Sequence, residues 1–320
     1  MKFLAVLLIV TLYRNWLGNN PVRDSLPFDG YADWCRRLSF QAHIRYLIAV
    51  GLPTALVFWL ATQLQHGWIL NIIWLVLALA VLIYAVEMRD NDLVFDQQED
   101  WLDSLLFDTD SEDTPTSASS VGSEAASDGE DTGEGADDDE YEEDEYPTNG
   151  FDEVGEDRSV SGVMARQKEF QQCMIYDIFQ SLHPVVFWFL VLGPAGTLLY
   201  ILTTMYEDGI EEDDVEAPLV RQVVFWMELP AARLTTLLFA LVGNFGSAMS
   251  RWLEGALDFS RHNDEFLADV ADAAVPTLTP DTIESFVRVH KDRNPELRIL
   301  MERSLYGWVG LAAIVAIAGW

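Results

Sequence analysis

Apolar and polar positions fall along this chain in long blocks rather than at close intervals. A membrane span needs about 20 mostly apolar residues. Five runs meet that length within its tolerance: residues 1–17, 45–63, 68–87, 184–206 and 304–320. The second and third are joined by "LQHG", a link that allows only a helical hairpin. A sixth run, residues 229–249, covers most of "MELPAARLTTLLFALVGNF" and carries Pro230 near its start and Arg233 inside it. Pro230 is tolerated in a first helical turn, where its missing N–H costs no bond. Arg233, near the end of the run, can snorkel to the interface. Full crossing fits this segment, and so does a re-entrant or surface-lying helix. The first run opens on Lys2 but is followed by Leu12, Tyr13, Asn15 and Trp16, with no small-residue cleavage site, so it reads as an uncleaved membrane helix.

Other segments show the helical period. In "ARQKEFQQCMIYDIFQSLHP", Phe170, Met174 and Ile178 recur every fourth residue, which predicts an amphipathic helix feeding the fourth run. Residues 250–303 predict one or two further helices, broken at "AVPTLTPDT" by Pro276 and Pro280, with Thr279 or Asp281 as the second helix's cap. The expected fold is therefore all-α. It is a polytopic membrane protein with five to six hydrophobic helices, an acidic disordered cytoplasmic insertion and short cytoplasmic helices. The expected divisions are residues 1–90 (three spans), 91–162 (the insertion) and 163–320 (the amphipathic helix, the C-terminal membrane helices and a helical cytoplasmic segment).

Charge changes this picture in two ways. The net charge is −33, and 24 Asp and Glu stand between Glu99 and Asp157 with no Lys or Arg among them. A tract of that composition cannot bury enough apolar surface to offset chain entropy, so it is expected to be disordered. It suits either a basic partner or plain solvation. The basic residues, meanwhile, set an orientation. Lys2 alone precedes the first apolar core, whereas Arg14, Arg23, Arg36, Arg37 and Arg45 follow it, which puts the N-terminus in the periplasm. Crossing by residues 229–249 would also bring Arg251, Arg261, Arg288, Lys291, Arg293, Arg298 and Arg303 to the cytoplasmic side.

Candidate chemistry is sparse. Cys35 and Cys173 are isolated thiols, outside any CxxC pair. The five histidines never pair at i,i+4, and phosphate-binding, HExxH and nucleophile-elbow motifs are absent from the sequence. No metal or cofactor is expected. Asp258, Asp264, Glu265, Asp269 and Asp272 could hold a magnesium–phosphate substrate or form the wet face of a helix. A polyanionic surface repels phosphate, so nucleic acid is not an expected partner. The clear spans carry almost no ionisable residue beyond Arg14 and Arg233, which disfavours a transporter.

Two stretches carry a resemblance. "FWFLVLGPAGTLLY" and "LPAARLTTLLFALVGNF" resemble the AmpE / CobD–CbiB family of integral inner-membrane proteins. The positions concerned are Gly193, Pro194 and Gly196 in the first stretch. In and beside the second they are Trp226, Pro230, Arg233, Leu234, Phe239, Ala240, Leu241, Gly243 and Phe245. "LPFDGYADWCRRL" and the helix after "MERSLYGW" also suit the family. Ile201 and Asn244 depart from its pattern, as does the acidic tract. The AmpE branch implies a membrane sensor or transducer associated with β-lactamase induction and muropeptide recycling. Its implied partners are the bilayer and a cytoplasmic muropeptide amidase or other cytoplasmic protein. The CobD–CbiB branch implies instead a membrane-bound, amide-forming enzyme of cobalamin synthesis. Of that branch's acidic stretch only Asp177 has an equivalent here. The regulatory branch is thus expected, with no catalytic residue, and with Asp177, Gly193, Pro194, Gly196, Trp226, Pro230, Arg233 and Gly243 as motif or ligand-contact positions.

Overall fold

The computed structural model describes residues 2–15, 28–37, 40–64, 68–86, 98–100, 102–105, 160–211, 214–276 and 282–318. The insertion expected to be disordered is ordered at its two ends: residues 98–100, 102–105 and 160–162 are helical, Leu102 packs with Val163 and Phe286, and Asp103 pairs with Lys291. The rest of the acidic tract lies outside the described residues, as do the expected caps Thr279 and Asp281. All regular structure among the described residues is helical. The helices are α1 (Lys2–Asn15), α2 (Phe28–Arg36), α3 (Ala42–Gln63, with a π-helical stretch at Leu47–Gly51), α4 (Trp68–Ala85) and α5 (Val160–Leu192). They continue as α6 (Pro194–Asp208), α7 (Ala217–Val242), α8 (Phe245–Gly255), α9 (Asn263–Ala274) and α10 (Ile283–Ile317).

Four of these are long and apolar enough to cross a membrane: α3, α5, α7 and α10. α1 and α4 are apolar but shorter within the residues described. The 33 residues of α5 give it a length of about 50 Å, and α1, α6, α7, α9 and α10 pack on it. α1 runs antiparallel to it, with Tyr13 and Ser181 hydroxyls 3.0 Å apart and the Lys2 ammonium donating to the Leu190 carbonyl at 3.1 Å. α10 runs parallel to it, with His183 Nε2 3.2 Å from Ser304 Oγ and Trp308 packed on Phe187. One apolar core joins α1, α2, α3, α4, the second half of α5, α6, the first half of α7 and the C-terminal part of α10. A second joins the first half of α5 to α7, α8, α9 and the middle of α10.

The expected span 184–206 is divided. α5 ends at Leu192, and the chain reverses at Gly193, whose φ of 70° is a left-handed conformation that side chains disfavour. Pro194, already fixed at a helical φ and lacking a donor, starts α6. α6 then folds back so tightly that a Cβ on Gly196 would lie 2.4 Å from the Trp188 carbonyl oxygen. Thr197 Oγ1 donates to the Val185 carbonyl across the same reversal. The apolar run is real, but it is two antiparallel pieces.

The sixth run is also re-divided. The helix starts at Ala217, twelve residues before the run read from hydropathy, and stops at Val242. Residues 244–274 do not hang clear of it. α8 and α9 form a hairpin laid along α7: the Asn244 N–H donates to the Ala274 carbonyl, and Asn263 Nδ2 donates to the Phe225 carbonyl at 3.1 Å. Gly243 is the point of closest approach, where a Cβ would meet Ala274 Cβ at 2.8 Å. The helix of α10 is capped by Thr282, which exchanges bonds with Ser285 in a capping box. The amphipathic reading of α5 holds: Met174 and Ile178 are buried, Phe170 packs at the edge of the second core, and Cys173 is exposed.

Candidate functional site

A single carboxylate organises the polar interior. Glu228 lies in α7 and is 1 % exposed. Its oxygens accept from the Tyr176 hydroxyl at 2.7 Å, Gln180 Nε2 at 2.9 Å and the Tyr200 hydroxyl at 3.1 Å. Asn263 also interacts with it. Each of these donors is neutral. They come from α5, α6 and α9, so the site exists only because the Gly193 reversal and the α8–α9 hairpin return those elements to α7. A buried charge of this kind is costly, and the surrounding hydroxyls and amides give it hydrogen bonds but no opposite charge.

Pro230 contributes to the geometry. Lacking an N–H, it leaves the Trp226 carbonyl without its helical partner and loosens the ladder there. The flanking carbonyls take bonds from outside the helix: Phe225 O from Asn263, and Met227 O from Trp188 Nε1 at 3.0 Å.

Glu228 lines a cavity of about 700 Å³. The wall includes Tyr176 and Gln180 of α5, Glu207 and Asp208 at the end of α6, and Arg221, Phe225 and Trp226 of α7. Phe259, Ser260, His262, Asn263 and Asp264 close the side formed by the α8–α9 loop and the start of α9. Burial, then the neighbouring Asp208 and Glu228 carboxylates, push the Glu207 carboxyl up to about 7. In the α8–α9 loop, the Ser260 hydroxyl and N–H hold Asp258 below the usual carboxylate range. Trp226 is half exposed, with its ring 5.6 Å from Phe225 and 6.4 Å from Phe259. The cavity thus combines aromatic faces with an excess of carboxylates, and its size suits a small polar molecule.

Of the candidate positions read from sequence, Trp226 lines this cavity. Gly193, Pro194 and Gly196 build the α5–α6 reversal, Gly243 seats α9, and Pro230 loosens α7. Asp177 is half-buried on α5, one residue after Tyr176, and is not part of the wall. Arg233 does not snorkel. It is 8 % exposed, donates from Nε to the Ala256 carbonyl at 3.2 Å and from Nη2 to the Asp258 carbonyl at 2.8 Å, and lies 4.0 Å from the Phe266 ring. It fastens the α8–α9 loop, which carries the cavity's far wall, to α7. The carboxylates of residues 258–272 are mostly engaged by protein partners. Arg261 pairs with Glu265 and Asp269, Gln172 donates to Asp264, and Arg293 and Gln171 both meet Asp272 at 2.5 Å. Among the described residues no group of three His, Cys, Asp or Glu side chains is arranged to hold a metal ion.

The residue at the centre of the site, Glu228, is legible in the sequence. It stands two places before Pro230, yet a span read as starting at residue 229 leaves it outside. An ionisable residue inside a membrane-length apolar helix is a site signal in its own right. Tyr176, Tyr200 and Asn263 carry no comparable signal. No known protein family, curated protein or solved structure matches the chain.

Proposed function

We propose that the chain is an inner-membrane regulatory protein of the AmpE type, and that its cavity is where a small polar signal is read. The observation carrying this reading is the cavity itself. Helices α5, α6, α7 and α9 meet around one buried carboxylate on a membrane-length helix, so an occupant touches four elements at once. Occupancy would favour whichever arrangement of those elements it contacts best, the requirement for a ligand to shift an equilibrium. The "FWFLVLGPAG" and "LPAAR" stretches that carry the resemblance also shape this site, through the reversal at Gly193 and the loosening at Pro230. On this reading the protein is multi-pass in the plasma membrane with a periplasmic N-terminus. It acts on β-lactamase induction and muropeptide recycling through a cytoplasmic amidase or another cytoplasmic protein.

The test is a chromosomal Glu228→Gln allele beside a full deletion. Altered β-lactamase induction in both strains, with normal cobalamin-dependent growth, is the expected result. A block at the cobinamide stage would replace this reading with a cobalamin-pathway enzyme. Normal induction in the deletion strain would remove the regulatory reading.

A further inference from the structure

The wall of the cavity specifies the charge of its occupant. Among the described residues, Glu207, Asp208, Glu228 and Asp264 face it against one guanidinium, Arg221. In the contacts described above Glu228 accepts bonds from neutral groups only, so among the described residues its buried charge has dipoles around it but no cation bonded to it. Buried carboxylates are ordinarily paired, because dipoles alone seldom offset the loss of water.

A second observation is independent of this charge balance. Asn263 is 3 % exposed and lines the cavity, and its Oδ1 has no hydrogen-bond partner among the described residues. The amide orientation is fixed by the bond from Nδ2 to the Phe225 carbonyl, so the orphan atom is an acceptor. A buried acceptor without a donor costs about 1–3 kcal/mol. The missing partner is therefore a donor, and the missing charge is positive. A third feature sets the body of the ligand. The half-exposed Trp226, with Phe225 and Phe259, offers aromatic faces beside the acidic wall, the combination that attracts an ammonium group with an apolar body.

Resting on the reading of the cavity as a signal site, we propose that its ligand is an organic primary ammonium ion. Its charge faces Glu228 and Glu207, an N–H reaches Asn263 Oδ1, and its apolar body lies on Trp226 and Phe259. The test is calorimetric titration of the full chain in nanodiscs with three probes of similar size: phenethylammonium, 3-phenylpropanol and 3-phenylpropionate. Binding of phenethylammonium at least tenfold tighter than either of the others is expected. Glu228→Gln should weaken it at least tenfold, and Trp226→Ala, at a position that is half exposed and tolerant of truncation, should weaken it threefold or more. The inference is overturned if the wild type does not bind the cation, if the three probes bind alike, or if Trp226→Ala binds as the wild type does. The two readings fail separately. Selective cation binding with normal induction in the deletion strain leaves this inference and removes the regulatory role. Altered induction without cation binding does the reverse.

Discussion

α3 and α7 both meet the length and composition of a membrane span, yet they are used in opposite ways. Across its most apolar window α3 is 17 % buried within the protein and α7 is 61 %. α3 turns Leu52, Leu56, Phe58 and Trp59 outward, and a bilayer can cover such a face. α7 turns its apolar side into the protein and carries Arg221, Glu228 and Arg233 along its length. The difference teaches that apolarity decides whether a helix leaves water, not what it meets next. For α3 the answer is a surface that accepts any apolar neighbour. For α7 it is four other helices, each supplying a specific bond, and ionisable groups are tolerable because those bonds are supplied.

The contrast breaks most visibly at Arg233. Arg233→Met keeps the length and apolar stem that pack on Phe266 but removes the donors to the Ala256 and Asp258 carbonyls. A hydrogen bond to a charged group is worth about 1.5–3 kcal/mol, and orphaned buried carbonyls add to the loss. We expect about 2–3 kcal/mol of destabilisation in detergent, read as a lower thermal midpoint, with the α8–α9 hairpin becoming the first part of the chain cut by added protease. A wild-type midpoint and an uncut hairpin would mean that α7 carries its arginine as α3 would have to, with the head group in solvent.

How much of this could be read in advance depends on which residues interact. The long apolar blocks, the helical period of Phe170, Met174 and Ile178, and the membrane character of the chain are local properties, and local sequence carries them. The reversal at Gly193 was also local: Gly followed by Pro is a strong break, and it was submerged because hydropathy averaged over a window does not register direction. Glu228 falls just outside an apolar run that starts at residue 229, although the helix carrying it begins at Ala217. The polar bridges are another matter. Gln171 meets Asp272 across 101 positions and Arg293 across 122, and no spacing rule spans such separations. The Asn263 contacts, likewise, follow from how the hairpin lies on α7, which only the packed structure determines.

The second way to sharpen the comparison is pH. Glu207 sits at the end of α6 beside the acidic wall, with its carboxyl raised from 4.5 to about 7. A carboxyl whose folded pKa lies above its unfolded value favours folding when protonated. That contribution is complete below about 4.5, fades as pH rises through the interval, and is gone above about 7. Glu207→Gln removes it. The thermal midpoint of the wild type relative to Glu207→Gln should therefore fall between pH 5 and pH 8, by an amount equivalent to roughly 1 kcal/mol once solvent access to a half-buried carboxyl is allowed for. A difference that stays flat with pH would place Glu207 in open water, and the α7 side would lose its claim to a desolvated acidic wall.

The smallest expected effect lies on α3 and completes the contrast. Phe58 is 54 % exposed. Phe58→Leu replaces one apolar surface by another where lipid or detergent is as good a neighbour as protein. Substitutions away from packed features usually stay within about 0.5 kcal/mol, and the thermal midpoint in detergent should stay correspondingly close to the wild type. The same measurement distinguishes two uses of an outward apolar face. A second protein surface packed on α3 would make the aromatic ring matter, and Phe58→Leu would then lower the midpoint in a concentration-dependent way. Insensitivity at every concentration is what a lipid-facing helix requires, because a disordered solvent of acyl chains closes around leucine as readily as around phenylalanine and leaves no cavity behind.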